Sequence, residues 1–180
     1  MAINRPTHVF VQAGVGSLAG AVVGYFTNLY PDNPPTFVVV ECAPAACLYK
    51  GAAAGDGDPR IVDGDMPPSW PACAAASQHP GLGYPAQPHH RLRVLPRLGH
   101  RSRHAHPGRS REGRPARISG ESGAVTTGLV ETLMLDPEYA ELKELIGLDK
   151  TSSVLCFSTE GDTDPDQYRR IVWEGEYPTC

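Results

Sequence analysis

The residues of this chain best suited to chemistry are small ones. Gln12-Ala13-Gly14-Val15-Gly16-Ser17-Leu18-Ala19-Gly20 follows a strand-like run, Thr7 to Val11, and opens an apolar run towards Tyr30. A strand that feeds a glycine turn and then a helix makes an anion-binding corner. Gly14 and Gly16 can take positive φ and let the backbone approach a ligand, while the N–H groups of the first helical turn, which have no carbonyl four residues back, point at it. The helix dipole adds to this, so the corner suits a phosphate. A β-branched run, Thr36 to Val40, ends in Glu41, about where a dinucleotide-binding fold places its ribose-binding acid. Two readings stand open on these residues: a phosphate corner in some other enzyme, and a Rossmann-type NAD(P)-binding domain.

Other reactive side chains are scattered. The five cysteines, at 42, 47, 73, 156 and 180, form no Cys-x-x-Cys pair and are odd in number, which fits a reducing compartment and a cytoplasmic protein. Cys156 precedes Phe157 in an apolar run and reads as core packing rather than as a nucleophile. His100, His104 and His106, with His89 and His90 nearby, have a spacing a metal could use, but arginines stand between them and no helix presents them, so no metal site is expected. Asp162 and Asp164 could bind a cation, and a loop that shapes a cofactor pocket explains them as well.

The elements that must position these residues read as α/β. Thr7 to Val11 and Thr36 to Val40 lack polar alternation, as parallel strands covered on both faces should. The helix between them, Ser17 to about Leu29, carries Ala19, Gly20, Ala21 and Gly24, small residues that suit close packing on a sheet. Strand, helix, strand in this order is a βαβ unit. A short helix is expected over Ala43 to Tyr49, a loop over Gly51 to Asp58 and a third strand at Arg60-Ile61-Val62. A second glycine turn, Ile118 to Gly123, precedes a helix from Ala124 to Leu135, with Val125, Leu129, Leu133 and Met134 near one face. Asp136 is the expected N-cap of a following helix with Pro137 in its first position, and Leu142, Leu145 and Ile146 form its apolar stripe. Ser153 to Phe157 reads as a buried strand that delivers Ser158 to Asp164 to the carboxyl end, where open α/β sheets bind ligands. A last helix runs from Pro165 to Trp173.

The net charge of -4 conceals an asymmetry. Residues 67–117 hold nine arginines against one acid, Glu112, together with six of the seven histidines and nine of the 18 prolines. The tract shows no period of 2 or 3.6. It has few aromatics and no nucleic-acid-binding module, so a disordered or out-of-frame text is the better account than a nucleic-acid partner. The apolar stretch Ala13 to Val23 is too short and too rich in glycine to span a bilayer, and Pro6, His8 and Gln12 break any secretory pattern.

With the elements placed, the chain resembles the diaminopropionate ammonia-lyases, pyridoxal-phosphate enzymes of the fold type of tryptophan synthase β chains and threonine deaminases. The resemblance rests on Pro6 to Phe10 with Gly14 to Gly20, then Gly64-Asp65-Met66, Ser119 to Val125, Ser158 to Asp164 and Val172 to Gly175, in the family's order. It implies a three-layer α/β fold with a mainly parallel sheet, the large cofactor domain of a fold-type II enzyme. Residues 1–66 and 118–180 then form cofactor-domain parts around an anomalous tract, 67–117. It further implies that the backbone amides of Gly14, Val15, Gly16, Ser17, Leu18 and Ala19 hold the phosphate of pyridoxal 5'-phosphate, that Ser158 meets the pyridine nitrogen and that Glu121 lies near the ring. The family's reaction is α,β-elimination of 2,3-diaminopropionate to pyruvate and ammonia, by a homodimer.

Two departures qualify the match. The family's Schiff-base lysine and proton-handling acids are expected upstream, in a region this chain lacks, so the chain is expected to be a C-terminal fragment, inactive alone, or a non-catalytic remnant. Lys50, Lys143 and Lys150 sit in no such motif. After Gly64-Asp65-Met66 the chain reads Pro67-Pro68-Ser69-Trp70-Pro71 in place of an apolar helix; if the Ser69 codon ends in A, the frame one base over reads Ile-Met-Ala there, a family-like text. Residues 67–117 are accordingly expected to lie between two compensating frame shifts.

Overall fold

The computed structural model describes residues 5–41, 46–58, 60–61, 92–96, 118–161, 163–172 and 174. Two compact units divide the chain. The first comprises Met1–Arg97 and Lys150–Leu155, the second Leu98–Asp149 and Cys156–Cys180.

The first unit is built on β1 (His8–Ala13), α1 (Ser17–Leu29), β2 (Thr36–Glu41), α2 (Cys47–Ala54) and β3 (Leu92–Pro96). The sheet order is β3-β2-β1-β4, where β4 is Val154–Cys156. β1 pairs with β2 in parallel from His8↔Thr36 to Ala13↔Glu41, and β2 pairs with β3 in parallel from Phe37↔Leu92 to Glu41↔Pro96. Parallel neighbours need a crossover, which α1 supplies between β1 and β2. The side chains of Val9, Phe10, Val11, Phe37, Val38 and Val39 are all fully buried although successive residues point to opposite faces. The two central strands are therefore covered on both faces, as their unbroken apolar runs require. Before β1, the Thr7 and His8 amides donate to the Ser153 carbonyl at 2.8 and 3.2 Å.

Ala19, Val22 and Val23 form the buried side of α1, whereas Ala21 and Gly24 are exposed. A Cβ on Gly24 would meet nothing within 4 Å, so the close packing expected of that glycine does not occur. α2 begins at Cys47 and extends through Gly51 to Ala54, later and longer than the expected helix over Ala43 to Tyr49 and loop over Gly51 to Asp58. It ends at Gly55 in the left-handed conformation, φ 71°, where glycine carries no Cβ penalty. Arg60 and Ile61 belong to no strand; Arg60 pairs with Asp56, and Ile61 is exposed. Val62 lies outside the described residues. The third strand is instead β3, inside the tract that shows no periodicity. The rest of that tract, with His89, His90, His100, His104 and His106, lies outside the described residues, as do Gly64-Asp65-Met66 and Asp162.

The second unit contains α3 (Glu121–Leu135), a 3-10 turn (Pro137–Tyr139), α4 (Ala140–Ile146) and α5 (Pro165–Val172). Ala124, Leu129 and Leu133 are buried along α3, and Ile146 and Leu148 are buried at the end of α4. The Asp136 side chain accepts the Glu138 amide at 3.0 Å and caps the 3-10 turn, so the expected cap is present and α4 proper starts at Ala140. Leu145 is exposed at 62% and does not share the stripe expected with Ile146. β4 is shorter than expected and only partly covered. Its place at the end of the described sheet order accounts for the difference from β1 and β2.

Candidate functional site

In the first unit the chain leaves the carboxyl end of β1 and turns at Gly14 to Gly16 into α1. Gly16 is the N-cap, buried, with φ 96°, a region that L side chains enter at a cost of about 1–2 kcal/mol. A Cβ there would also stand 3.0 Å from Leu48 Cδ2. The Gly20 amide donates to the Gly16 carbonyl at 2.8 Å, the first bond of the helix. The preceding amides, of Ser17, Leu18 and Ala19, therefore have no carbonyl four residues back to bond. Gly16 has no side chain with which to cap α1, and no acid stands in the helix's first turn. Gly14, Ser17 and Leu18 are exposed and Val15 is half-buried, while Ala19 is buried beneath them. The result is a backbone cradle with positive partial charge and no resident anion among the described side chains, which fits a phosphate group.

The neighbouring helix has the opposite arrangement. Glu41, at the end of β2 and only 5% exposed, accepts the Leu48 amide on Oε1 at 2.9 Å and the Tyr49 amide on Oε2 at 2.8 Å. Both carboxylate oxygens are committed to the first turn of α2. Burial pushes the Glu41 carboxyl above the usual carboxylate range, against the lowering effect of these amides and of the Cys47 thiol. The Cys47 thiol is itself raised, first by burial and then by the Glu41 charge. A ribose-binding acid must present its oxygens to a ligand, and this one is spent on the protein. The dinucleotide reading loses its main support.

In the second unit a tight corner forms where residues 158–161 meet the start of α3. The Gly120 amide donates to the Glu160 carbonyl at 2.9 Å, and the Ser122 amide to Glu160 Oε1 at 3.4 Å. The approach requires glycine: a Cβ on Gly120 would lie 2.6 Å from the Gly161 carbonyl oxygen, and one on Gly123 2.9 Å from Ser158 Cα and 3.0 Å from the Phe157 carbonyl oxygen. The exposed Ser158 hydroxyl has Ser119 Oγ at 3.0 Å and the Glu160 carbonyl at 3.3 Å as acceptors for its one proton. The Ser119 hydroxyl in turn can donate to the Gly120 carbonyl at 3.3 Å. Glu121 opens α3, and its side chain lies outside the described residues. Ser119 and Glu160 escape sequence reasoning as partners of Ser158, because nothing local marks a pairing across 39 residues. Cys156 is half-buried, with burial raising its thiol and the Thr126 and Thr127 hydroxyls opposing, in keeping with a packing role.

Of the lysines, Lys50 and Lys150 are exposed and Lys143 is half-buried. Among the described residues no group of three or more His, Cys, Asp or Glu could hold a metal ion, and no helix is long and apolar enough to cross a membrane.

Several solved structures that this chain resembles belong to one class. They have the α/β fold of a pyridoxal-phosphate-dependent lyase, and this chain has that fold. The lyases in question are diaminopropionate ammonia-lyases, to which the chain is homologous. That of Salmonella typhimurium is 38% identical over 196 residues, covering 94% of this chain and 43% of the relative. That of Escherichia coli K12 is 36% identical over 178 residues, covering 96% and 43%. The holo form of the Escherichia coli enzyme superposes with a TM-score of 0.68 at 33% identity, covering 95% of this chain and 42% of that one. The same enzyme in complex with an aminoacrylate-PLP azomethine reaction intermediate gives 0.66 at 31% identity, covering 97% and 44%. No family model matches the chain. The chain thus spans less than half the length of the curated relatives it matches.

Proposed function

We propose that this chain is the phosphate-holding part of a pyridoxal-phosphate-dependent diaminopropionate ammonia-lyase and is catalytically silent alone. The observation that carries the reading is the pair of helix starts in the first unit. α2 has its amides filled by Glu41, whereas α1 offers those of Ser17, Leu18 and Ala19 behind a left-handed Gly16. The homology to enzymes solved in holo form supports the choice of cofactor.

In this reading the cofactor, when bound, supplies the electron sink that makes the substrate Cα proton removable. Gly14 to Ala19 bind its phosphate through fixed backbone dipoles, which orient without transferring a proton. Ser158 would donate a hydrogen bond to the pyridine nitrogen and keep its proton. The hydrogen must then turn away from Ser119 Oγ and the Glu160 carbonyl, and Ser119 can turn its own hydrogen onto Ser158 Oγ, since the 3.0 Å contact works in either direction. A neutral hydroxyl leaves that nitrogen largely unprotonated, which an elimination with a β leaving group tolerates. Glu121 is assigned beside the ring by the family resemblance. The same resemblance supports a homodimer, a cytoplasmic location and a small amino acid as substrate.

An activated lysine needs a desolvated pocket, and exposed Lys50 and Lys150 and half-buried Lys143 have none. General acid–base help at the Cα proton is typically worth about 10²–10⁴-fold in rate, and none of the residues assigned above supplies it. The test is release of pyruvate and ammonia from 2,3-diaminopropionate. The 180-residue chain should release neither, and a lysine-bearing, frame-restored protein containing residues 5–61 and 118–174 should release both. Turnover by the chain alone would refute the silent role, and none by the longer protein would refute the reaction.

A further inference from the structure

Glu41 is an unusual helix cap. It belongs to the preceding strand, lies six residues before α2 and is buried, whereas the N-cap residue itself, Ala46, offers no side-chain bond. The turn it holds touches the glycine corner twice. The Cys47 thiol lies 3.5 Å from the Gly14 carbonyl oxygen and 3.7 Å from Glu41 Oε1, and can donate to either. The Leu48 side chain fills the space beside Gly16, with Cδ2, Cδ1 and Cγ 3.0 to 3.5 Å from where a Cβ would stand. In register, Glu41 lies opposite Ala13, the last residue of β1 before the corner.

We infer that Glu41 is a positioning residue for the phosphate corner: it fixes the first turn of α2, and that turn holds Gly14 and Gly16 in place through Cys47 and Leu48. Glu41 itself touches no ligand. The inference rests on the reading of Gly14 to Ala19 as the phosphate cradle, although its mechanical part can be tested without any ligand. Glu41 also keeps the second helix start from competing for the anion, because its carboxylate already occupies the Leu48 and Tyr49 amides. Glutamine at this position is nearly isosteric but has a single acceptor oxygen, so one of the two amides loses its partner.

Residue-resolved amide exchange on the 180-residue chain decides the matter, using the amide that closes the first backbone bond within each of three helices. These are Gly20 in α1, Lys50 in α2 and Ala124 in α3, bonded to Gly16, Ala46 and Gly120 at 2.8, 3.1 and 2.9 Å. Glu41→Gln should speed exchange at both Lys50 and Gly20 by roughly tenfold, equivalent to about 1.4 kcal/mol of local opening, and leave Ala124 unchanged. A rise at Lys50 with none at Gly20 would make Glu41 a local cap only and overturn the inference. Should Glu41→Gln unfold the chain, Cys47→Ala keeps the cap and removes the thiol bond; a faster Gly20 then supports the inference and an unchanged one overturns it. Titration with pyridoxal 5'-phosphate tests the cradle separately. Weaker binding by Glu41→Gln than by the unsubstituted chain supports the positioning role. No binding by the unsubstituted chain refutes the phosphate reading while the exchange result stands.

Discussion

The same substitution, glycine to alanine, should have opposite effects at two positions eight residues apart. Gly16 sits at φ 96°, and a Cβ there would press on Leu48 at 3.0 Å. Gly24 lies in the interior of the same helix, and a Cβ there would meet nothing within 4 Å. At Gly16 the backbone strain alone costs about 1–2 kcal/mol. The Leu48 contact adds less, since its far carbons can rotate away. At Gly24 the unfolded chain loses freedom and the folded chain loses nothing, so alanine should stabilise by about 0.5–1 kcal/mol. The two variants should therefore differ by about 2 kcal/mol, or roughly 4–8 °C in Tm for a chain of this size. Thermal unfolding followed by far-ultraviolet circular dichroism on the unsubstituted chain and both variants measures the difference. Equal Tm values for the two would refute the left-handed Gly16, and a destabilising Gly24→Ala would refute the open outer face of α1.

Gly123→Ala should destabilise by about 1–3 kcal/mol, the usual cost of overpacking, because its Cβ would meet Ser119 Oγ at 2.5 Å and Ser158 Cα at 2.9 Å; urea unfolding checks it. Asp136→Ala should cost about 1 kcal/mol by loss of the Glu138 amide bond, read from the same unfolding curves. Glu41 gives stability a pH dependence whose sign follows from its raised carboxyl. The folded chain holds that proton to higher pH than the unfolded chain, so the contribution to stability falls as pH climbs from the ordinary glutamate value to the folded one. Glu41→Gln should flatten that slope in a series of unfolding curves. Finally, the coding sequence read one base over between codons 67 and 117 should give an uninterrupted apolar text, and stop codons in that frame would refute the frame-shift account.

β1, α1 and β2 were legible because each carries its own signal. Val9 to Val11 and Phe37 to Val40 are apolar on both strand faces, and Gly16 marks where the helix must begin. α2 was misplaced because its start depends on Glu41, a residue of the previous strand, and not on a cap of its own. β3 was missed because Leu92–Pro96 is five residues long, and its pairing with β2 reaches back more than fifty residues. Leu145 fits the spacing of a buried stripe, but α4 has only seven residues, too few turns for spacing to settle which side faces the core. The glycine corner was readable from the order of a strand-like run, a glycine turn and a helix-like run. Its selectivity was not, since Glu41 looks the same in the sequence whether it faces a ribose or caps a helix.

The central claim is that an anion is received at the start of α1 and refused at the start of α2. Titration of the isotopically labelled chain with pyridoxal 5'-phosphate, followed by amide nitrogen–proton correlation spectra, tests it most directly. The account predicts that the Ser17, Leu18 and Ala19 amides shift together and saturate, while those of Leu48 and Tyr49, held by Glu41, stay in place. Shifts at Leu48 and Tyr49 with none at Ser17 to Ala19 would contradict it.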